Sequence, residues 1–350
     1  MNNKNKKLRV FIVVLILLFV SFSYYGYQIF FTPNFNTQKN NAGENPDRYL
    51  LIPTGATFQT VLDSLEKNKL IEDKLSFAFL AKLSGYQDNV KAGRYLIENN
   101  DTNLTLLKRL KNGQQTPVKL TFNSIRLKKD FIERISHRFE FSKEELDSLL
   151  NTPAFVSKFG LDTTTVMTLF LPNTYEIFWN ISAEDFVERM QYEHNVFWTD
   201  ERKAKAQAAG LTPVQVSILA SIVEAETNKK SEKARIAGLY LNRIRIGMPL
   251  QADPTVKFAV GDFTLKRIYK GHIETDSPYN TYKYAGLPPG PINLPSLESI
   301  EAVLNHEKHK YIYFCASHEL NGYHNFAETY EAHQKNAERY RKALNKLNIR

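Results

Sequence analysis

Thr212-Pro213-Val214-Gln215-Val216-Ser217-Ile218-Leu219-Ala220-Ser221-Ile222-Val223-Glu224-Ala225-Glu226-Thr227 carries its own start signal. Thr212 is a capping residue, Pro213 suits the first helical position, and Gln215 at the third can reach back to the cap. From Val216 onward the helix is almost wholly apolar until Glu224 and Glu226. Such a helix is buried on most of its sides.

The two glutamates stand at the C-terminal, electronegative pole of that helix. Burial and the helix dipole both raise a carboxyl pKa there, which is what a general acid near neutral pH needs. At about 100° per residue, Glu226 continues the stripe of Leu219 and Ile222. Glu224 shares a face with Ser217, Ala220 and Ser221, small residues that leave room for a substrate. Periodicity thus favours Glu226 as the more buried and Glu224 as the one lining a cleft. The competing reading has both solvated at a fraying helix end beside Asn228, Lys229 and Lys230.

Downstream, a second helix is predicted from about Glu232 to Ile246, with Gly247 as its stop. Asp253 before Pro254 has the pattern of a helix N-cap, set against a role in catalysis. Ser277-Pro278-Tyr279-Asn280-Thr281-Tyr282, followed by Gly286-Leu287-Pro288-Pro289-Gly290-Pro291, is a long rigid loop rich in aromatic and hydrogen-bonding groups. Such a loop lines a cleft or turns a corner, and tyrosine rings with Asn and Thr suit a sugar. Tyr311 to Ala316 reads as a core strand in which Cys315 is inert, His324 and Phe326 as a hairpin, and the stretch from Tyr330 to Leu344 as an amphipathic helix. His306-Glu307-Lys308-His309 lacks the spacing of a zinc helix and reads as a solvated turn.

Upstream, residues 48–122 alternate short strands (Tyr49 to Pro53, Tyr95 to Ile97, Val118 to Phe122) with helical spacings, a small α+β module. The chain becomes mainly helical beyond about Ile125. Residues 32–47 are Asn-rich and aperiodic, as in a linker. Residues 10–31 carry no charge, and about 20 apolar residues suffice to span a bilayer. The basic tail 1–9, with Lys4, Lys6, Lys7 and Arg9, puts the N-terminus in the cytoplasm. The long apolar run and a poor cleavage site at Ser21-Phe22-Ser23 favour an uncleaved, single-pass anchor over a signal peptide.

That anchor changes the meaning of the net charge of +9. Four of those charges belong to the tail, and the exported part shows no basic-aromatic patch, so nucleic acid is not an expected partner. A single cysteine excludes an intrachain disulfide and a thiolate zinc cluster. Hydrophobic residues at 43% and charged residues at 24% exclude a mainly disordered chain.

Taken in order, Ala220 to Thr227, Leu241-Asn242-Arg243-Ile244-Arg245-Ile246-Gly247-Met248, Gln251-Ala252-Asp253-Pro254-Thr255-Val256, Ser277 to Tyr282, Gly286 to Pro291 and Tyr323-His324-Asn325-Phe326 resemble the endolytic murein transglycosylase (YceG-like) family. The resemblance implies an α+β fold: a single transmembrane helix, a LysM-like module over 48–122 and a mainly helical α+β catalytic domain over 123–350. It implies endolytic cleavage of nascent peptidoglycan between MurNAc and GlcNAc, leaving a 1,6-anhydro-MurNAc end and terminating elongation. It makes Glu224 the catalytic acid/base, with Glu226, Gln251, Asp253, Thr255, Ser277, Tyr279, Asn280, Tyr282 and His324 as substrate-binding or supporting residues. No metal or cofactor is expected. One carboxyl suffices because the sugar's own 6-hydroxyl attacks C1, so no water needs activating.

The implied partners are glycan strands and a cell-wall synthase complex, on the extracytoplasmic side of the inner membrane. One departure is visible: Met167 to Tyr175 lacks the Glu-Gly pair and the Asp that the family often carries before Thr174. Two rivals remain, a muramidase-type hydrolase with Asp253 activating water and a non-catalytic peptidoglycan-binding scaffold.

Overall fold

The computed structural model describes residues 3–35, 48–265 and 267–347. It is mixed α+β and mostly helical, as expected, and divides into two compact units. The first comprises Met1–Lys119, Arg138–Glu140 and Glu176–Ile181; the second comprises Leu120–His137, Phe141–Tyr175 and Ser182–Arg350.

The first unit begins with helix α1 (Asn3–Phe31). Its Lys6–Phe31 stretch has a mean hydropathy of 2.3 and is long and apolar enough to cross a membrane. Then come β1 (Tyr49–Ile52), α2 (Phe58–Lys67), α3 (Lys74–Leu83), β2 (Gly93–Leu96) and α4 (Asn103–Asn112). The two strands pair antiparallel, Tyr49 opposite Leu96. Thr57 and Thr102 cap α2 and α4 through reciprocal bonds with Thr60 and Thr105.

Of the stretch expected as a linker, residues 36–47 lie outside the described residues. Asn34 and Phe35 are built into this unit. Phe35 is buried edge-on against Phe77. Asn34 Nδ2 donates to Asn103 Oδ1 at 2.6 Å and to the Asp73 carbonyl at 2.8 Å, while Asn103 Nδ2 reaches the Ile29 carbonyl at 2.9 Å. The end of α1 is thereby fastened to the N-terminal ends of α3 and α4.

Strands β3 (Val118–Thr121) and β4 (Thr174–Ile177) pair with each other. The second unit contains α5 (Lys128–Ser136), α6 (Lys143–Asn151), α7 (Pro153–Val156), α8 (Ala183–Phe197) and α9 (Asp200–Ala208). After these come α10 (Pro213–Glu226), α11 (Lys230–Arg245), α12 (Asp253–Val260), α13 (Lys270–Ile273) and α14 (Leu297–Leu304). Hairpin β5 (Tyr313–Ala316) with β6 (His324–Ala327) and helix α15 (Tyr330–Lys346) complete it.

Helix α10 starts as its sequence dictates, with Thr212 and Gln215 in a reciprocal cap and Pro213 in the first turn. Every residue from Val216 to Val223 is buried. The helix packs against α9, α11, α12 and α14, the all-round burial that an apolar helix requires.

Candidate active site

Both glutamates emerge from the last turn of α10, and Glu226 is the more deeply buried of the two, as the periodicity suggested. Glu224 is held by three neighbouring side chains. Its Oε2 accepts from Lys233 Nζ at 3.0 Å, from Ser296 Oγ at 2.6 Å and from Ser299 Oγ. Ser296 is the N-cap of α14, so Glu224 sits at the C-terminal pole of its own helix and at the favourable N-terminal pole of another. Burial works to raise its pKa, but the bonds from Ser296, Ser299 and Lys233 outweigh it and hold the carboxylate below its ordinary range.

Glu226 is placed differently. With His324 and Ala316 it lines two cavities, of about 510 Å³ and 390 Å³. Burial pushes its carboxyl up to about 7, against the lowering effect of the Tyr240 hydroxyl, which donates to Oε1 at 2.6 Å. Asp253 adds to the rise by like-charge repulsion.

Asp253, Gln251 and Tyr282 line the smaller cavity with Glu226. Asp253 is not the cap of α12: Ala252 holds that position, and Asp253 begins the helix. Its Oδ1 instead accepts from the Tyr282 hydroxyl at 2.6 Å. Gln251 adopts a left-handed backbone (φ 49°), a conformation that costs a non-glycine residue about 1–2 kcal/mol. It is held there because its N–H donates to the Thr281 carbonyl at 3.0 Å and the next N–H to the Thr281 hydroxyl at 3.1 Å.

Thr255 and Asn280 are buried scaffolding. The Thr255 hydroxyl meets that of Thr281 at 2.8 Å, and Asn280 Nδ2 donates to the carbonyls of Ile273 and Thr275. Neither has a surface for substrate. Ser277 Oγ accepts from the Tyr279 N–H at 3.3 Å, a turn bond. Tyr279 packs on Phe258 and lines a separate cavity of about 200 Å³ with Arg126, Met167 and Asn293. His324 is fixed from behind: Nδ1 lies 2.9 Å from Glu232 Oε2, and its N–H donates to Glu232 Oε1 at 2.8 Å.

Chemically, this is a cleft with one carboxyl that holds its proton near neutral pH, a second carboxylate beside it, and a fixed imidazole. Residues 50–339 match the YceG-like family. The chain belongs to that family. It is 28% identical to an endolytic murein transglycosylase of Bacillus subtilis, with 83% of each chain covered. It is 28% identical to one from Streptococcus pneumoniae, covering 96% of this chain and 65% of that protein. A solved YceG-like protein from Listeria monocytogenes, also 28% identical, superposes with a TM-score of 0.55 over 82% of this chain and 97% of that one.

Several residues that shape this YceG-like site carried no signal in the sequence. Tyr240, Lys233 and Glu232 all lie on α11, and each meets its partner through the fold rather than through a local pattern. The Leu241-to-Met248 block braces the site, and its Arg243 also lines the smaller cavity beside Glu226. Asn242 Nδ2 donates to the carbonyls of His309 and Tyr311, and Arg243 Nε to that of Ile312 at 2.7 Å, fixing the approach to β5. His309 is correspondingly not solvated: its Nε2 lies 2.9 Å from the Arg235 carbonyl. Cys315 is half-buried and lines the smaller cavity rather than the core.

Proposed function

We propose that this chain is a membrane-anchored lytic transglycosylase that cuts peptidoglycan glycan strands between MurNAc and GlcNAc, with Glu226 rather than Glu224 carrying the proton. The observation that carries the reading is the carboxyl of Glu226, raised to about 7 in a cleft that also holds Asp253. Membership of a family whose curated relatives are named endolytic murein transglycosylases supplies the substrate class.

In this mechanism protonated Glu226 donates to the glycosidic oxygen as the C1–O bond breaks, and the Asp253 carboxylate faces the cationic sugar that forms. The 6-hydroxyl of the same sugar then closes on C1 and gives its proton to the Glu226 carboxylate, restoring the acid. The products are an anhydro-muramyl end and a free 4-hydroxyl, and no water is consumed. Gln251 and Tyr282 orient the sugar, and His324, immobilised by Glu232, presents its remaining ring nitrogen as a fixed hydrogen-bonding group.

The strand–helix–helix–strand order from β1 to β2 supports a LysM-like reading of the first unit, and the apolar helix α1 supports a single-pass anchor with its basic end in the cytoplasm. The cleft would then work on the extracytoplasmic side, beside a cell-wall synthase complex.

The test is mass spectrometry of strand ends after digestion of uncrosslinked glycan by wild type, E226Q and E224Q. Wild type is expected to leave ends one water lighter than reducing ends, and E226Q none. Because Asp253 shares the cavity with Glu226, hydrolysis is the specific rival, and reducing ends would establish it. Unchanged cleavage by E226Q would remove Glu226 from the chemistry.

A further inference from the structure

The two cavities that meet at Glu226 differ in charge. The smaller holds both the Asp253 carboxylate, tied to Tyr282, and the Arg243 guanidinium, whose Nε and Nη1 donate to the Ile312 and Leu250 carbonyls, so its fixed charges offset each other. The larger is lined by Lys229, Asn228, Asn321 and Tyr323. Lys229 differs from its neighbours. Lys230 pairs with Glu298 at 2.8 Å and Lys233 with Glu224 at 3.0 Å, whereas Lys229 enters no ion pair among the described residues. Its Nζ lies 4.7 Å over the Tyr323 ring. The side chain lies along Gly322, where an added Cβ would come within 3.2 Å of Lys229 Cε and where φ is +79°, so the turn between β5 and β6 is shaped to accept it. A cation stacked on a tyrosine, with free N–H donors and no carboxylate partner, is a place for an anion.

The two sugars of the strand differ in the same respect. GlcNAc is neutral. The muramyl residue carries a lactyl arm that ends in a carboxylate, or in a stem peptide with carboxylates of its own. An acid group in the smaller cavity would meet Asp253 as well as Arg243, whereas one beside Lys229 would meet a cation with no carboxylate partner among the described residues.

Resting on the transglycosylase reading, we propose that the cavity of Lys229 and Tyr323 is the subsite for the muramyl residue and that Lys229 Nζ pairs with its carboxylate. This would set the direction in which a strand lies across Glu226 and place the sugar that must form the anhydro ring on the Lys229 side.

The experiment reads binding, so it stands whether or not Glu226 is the acid. The full-length E226Q protein in detergent is titrated with three probes: strands stripped of peptides, strands bearing stem peptides, and a chitin oligosaccharide built only of GlcNAc. The measured quantity is the ratio of Kd for muramyl strands to Kd for chitin. K229Q is expected to raise this ratio about tenfold, the loss of one charge-assisted hydrogen bond, and K229R to return it most of the way. A rise confined to stripped strands assigns the lactyl carboxylate, and one confined to peptide-bearing strands assigns a stem-peptide carboxylate. A ratio that stays put in K229Q, or equal loss in K229Q and K229R, overturns the proposal. Should E226Q prove fully active while the ratio shifts as expected, the muramyl subsite stands and the proton assignment falls.

Discussion

Lys233 Nζ and Glu224 Oε2 lie 3.0 Å apart between consecutive helices, with the lysine side chain only 7% exposed. Replacing Glu224 with Gln leaves that ammonium without its main partner, and Glu298 at 3.9 Å compensates only in part. The expected cost is roughly 2–3 kcal/mol, read as a lower urea midpoint. Because the folded pKa of Glu224 is depressed, the stabilisation is fully present above its ordinary value of 4.5 and is lost as pH falls below it. Wild type and E224Q should therefore converge in stability in acid, and E224Q should lose far less turnover than E226Q.

In the proposed mechanism Glu226 starts the reaction protonated in the free enzyme. The ratio kcat/KM is expected to hold below about 7 and to fall by about tenfold per pH unit above it. Stability has the same origin with its own sign: a folded pKa raised from 4.5 to about 7 favours folding at low pH and loses that contribution as pH rises to 7. E226Q has no charge to bury and is expected to melt at a higher temperature than wild type at pH 8.

Two neighbours should move that limb in opposite directions. Asp253→Asn removes a like charge, so the fall in kcat/KM begins at lower pH. Tyr240→Phe removes the hydroxyl that favours the carboxylate, so the fall begins at higher pH. Identical profiles for the two variants would mean that neither group couples to Glu226.

Gly238 on α11 faces the segment before β5 at close quarters. A Cβ there would come within 2.2 Å of the Glu307 carbonyl oxygen and 2.9 Å of His309 Nε2. Alanine ordinarily gains about 1 kcal/mol over glycine inside a helix. Here the clash is with backbone, and overpacking costs about 1–3 kcal/mol, so Gly238→Ala is expected to lower Tm rather than raise it.

The start of α10 was legible because Thr212, Pro213 and Gln215 are local chemistry, complete within four residues. The partners of Glu224 and Glu226 were not. A helix buried all round has no single inner face, so periodicity cannot tell the side of a cleft from the side of another helix. What separates them is Lys233 nine residues away and Ser296 and Ser299 more than seventy away, contacts made only by the fold. Asp253 is a similar case: Asp before Pro looks like a cap, yet its carboxylate turns to Tyr282, twenty-nine residues on. Asn280 reads as a substrate-binding or supporting residue, and its two Nδ2 bonds, to the carbonyls of Ile273 and Thr275, give it a supporting place that residue type alone does not reveal.

The fastening of Asn34 and Phe35 into the first unit has a practical reading. A soluble fragment that begins at residue 48 would lack the ring that covers Phe77 and the amide that joins Asp73 to Asn103, so it would expose part of its own core. If α1 lies in a bilayer, only three residues separate its last turn at Phe31 from the buried Phe35. The first unit is then moored at the surface of the membrane with no slack. Its position is set by the depth of the helix, and lengthening residues 36–47 would not let it drift away.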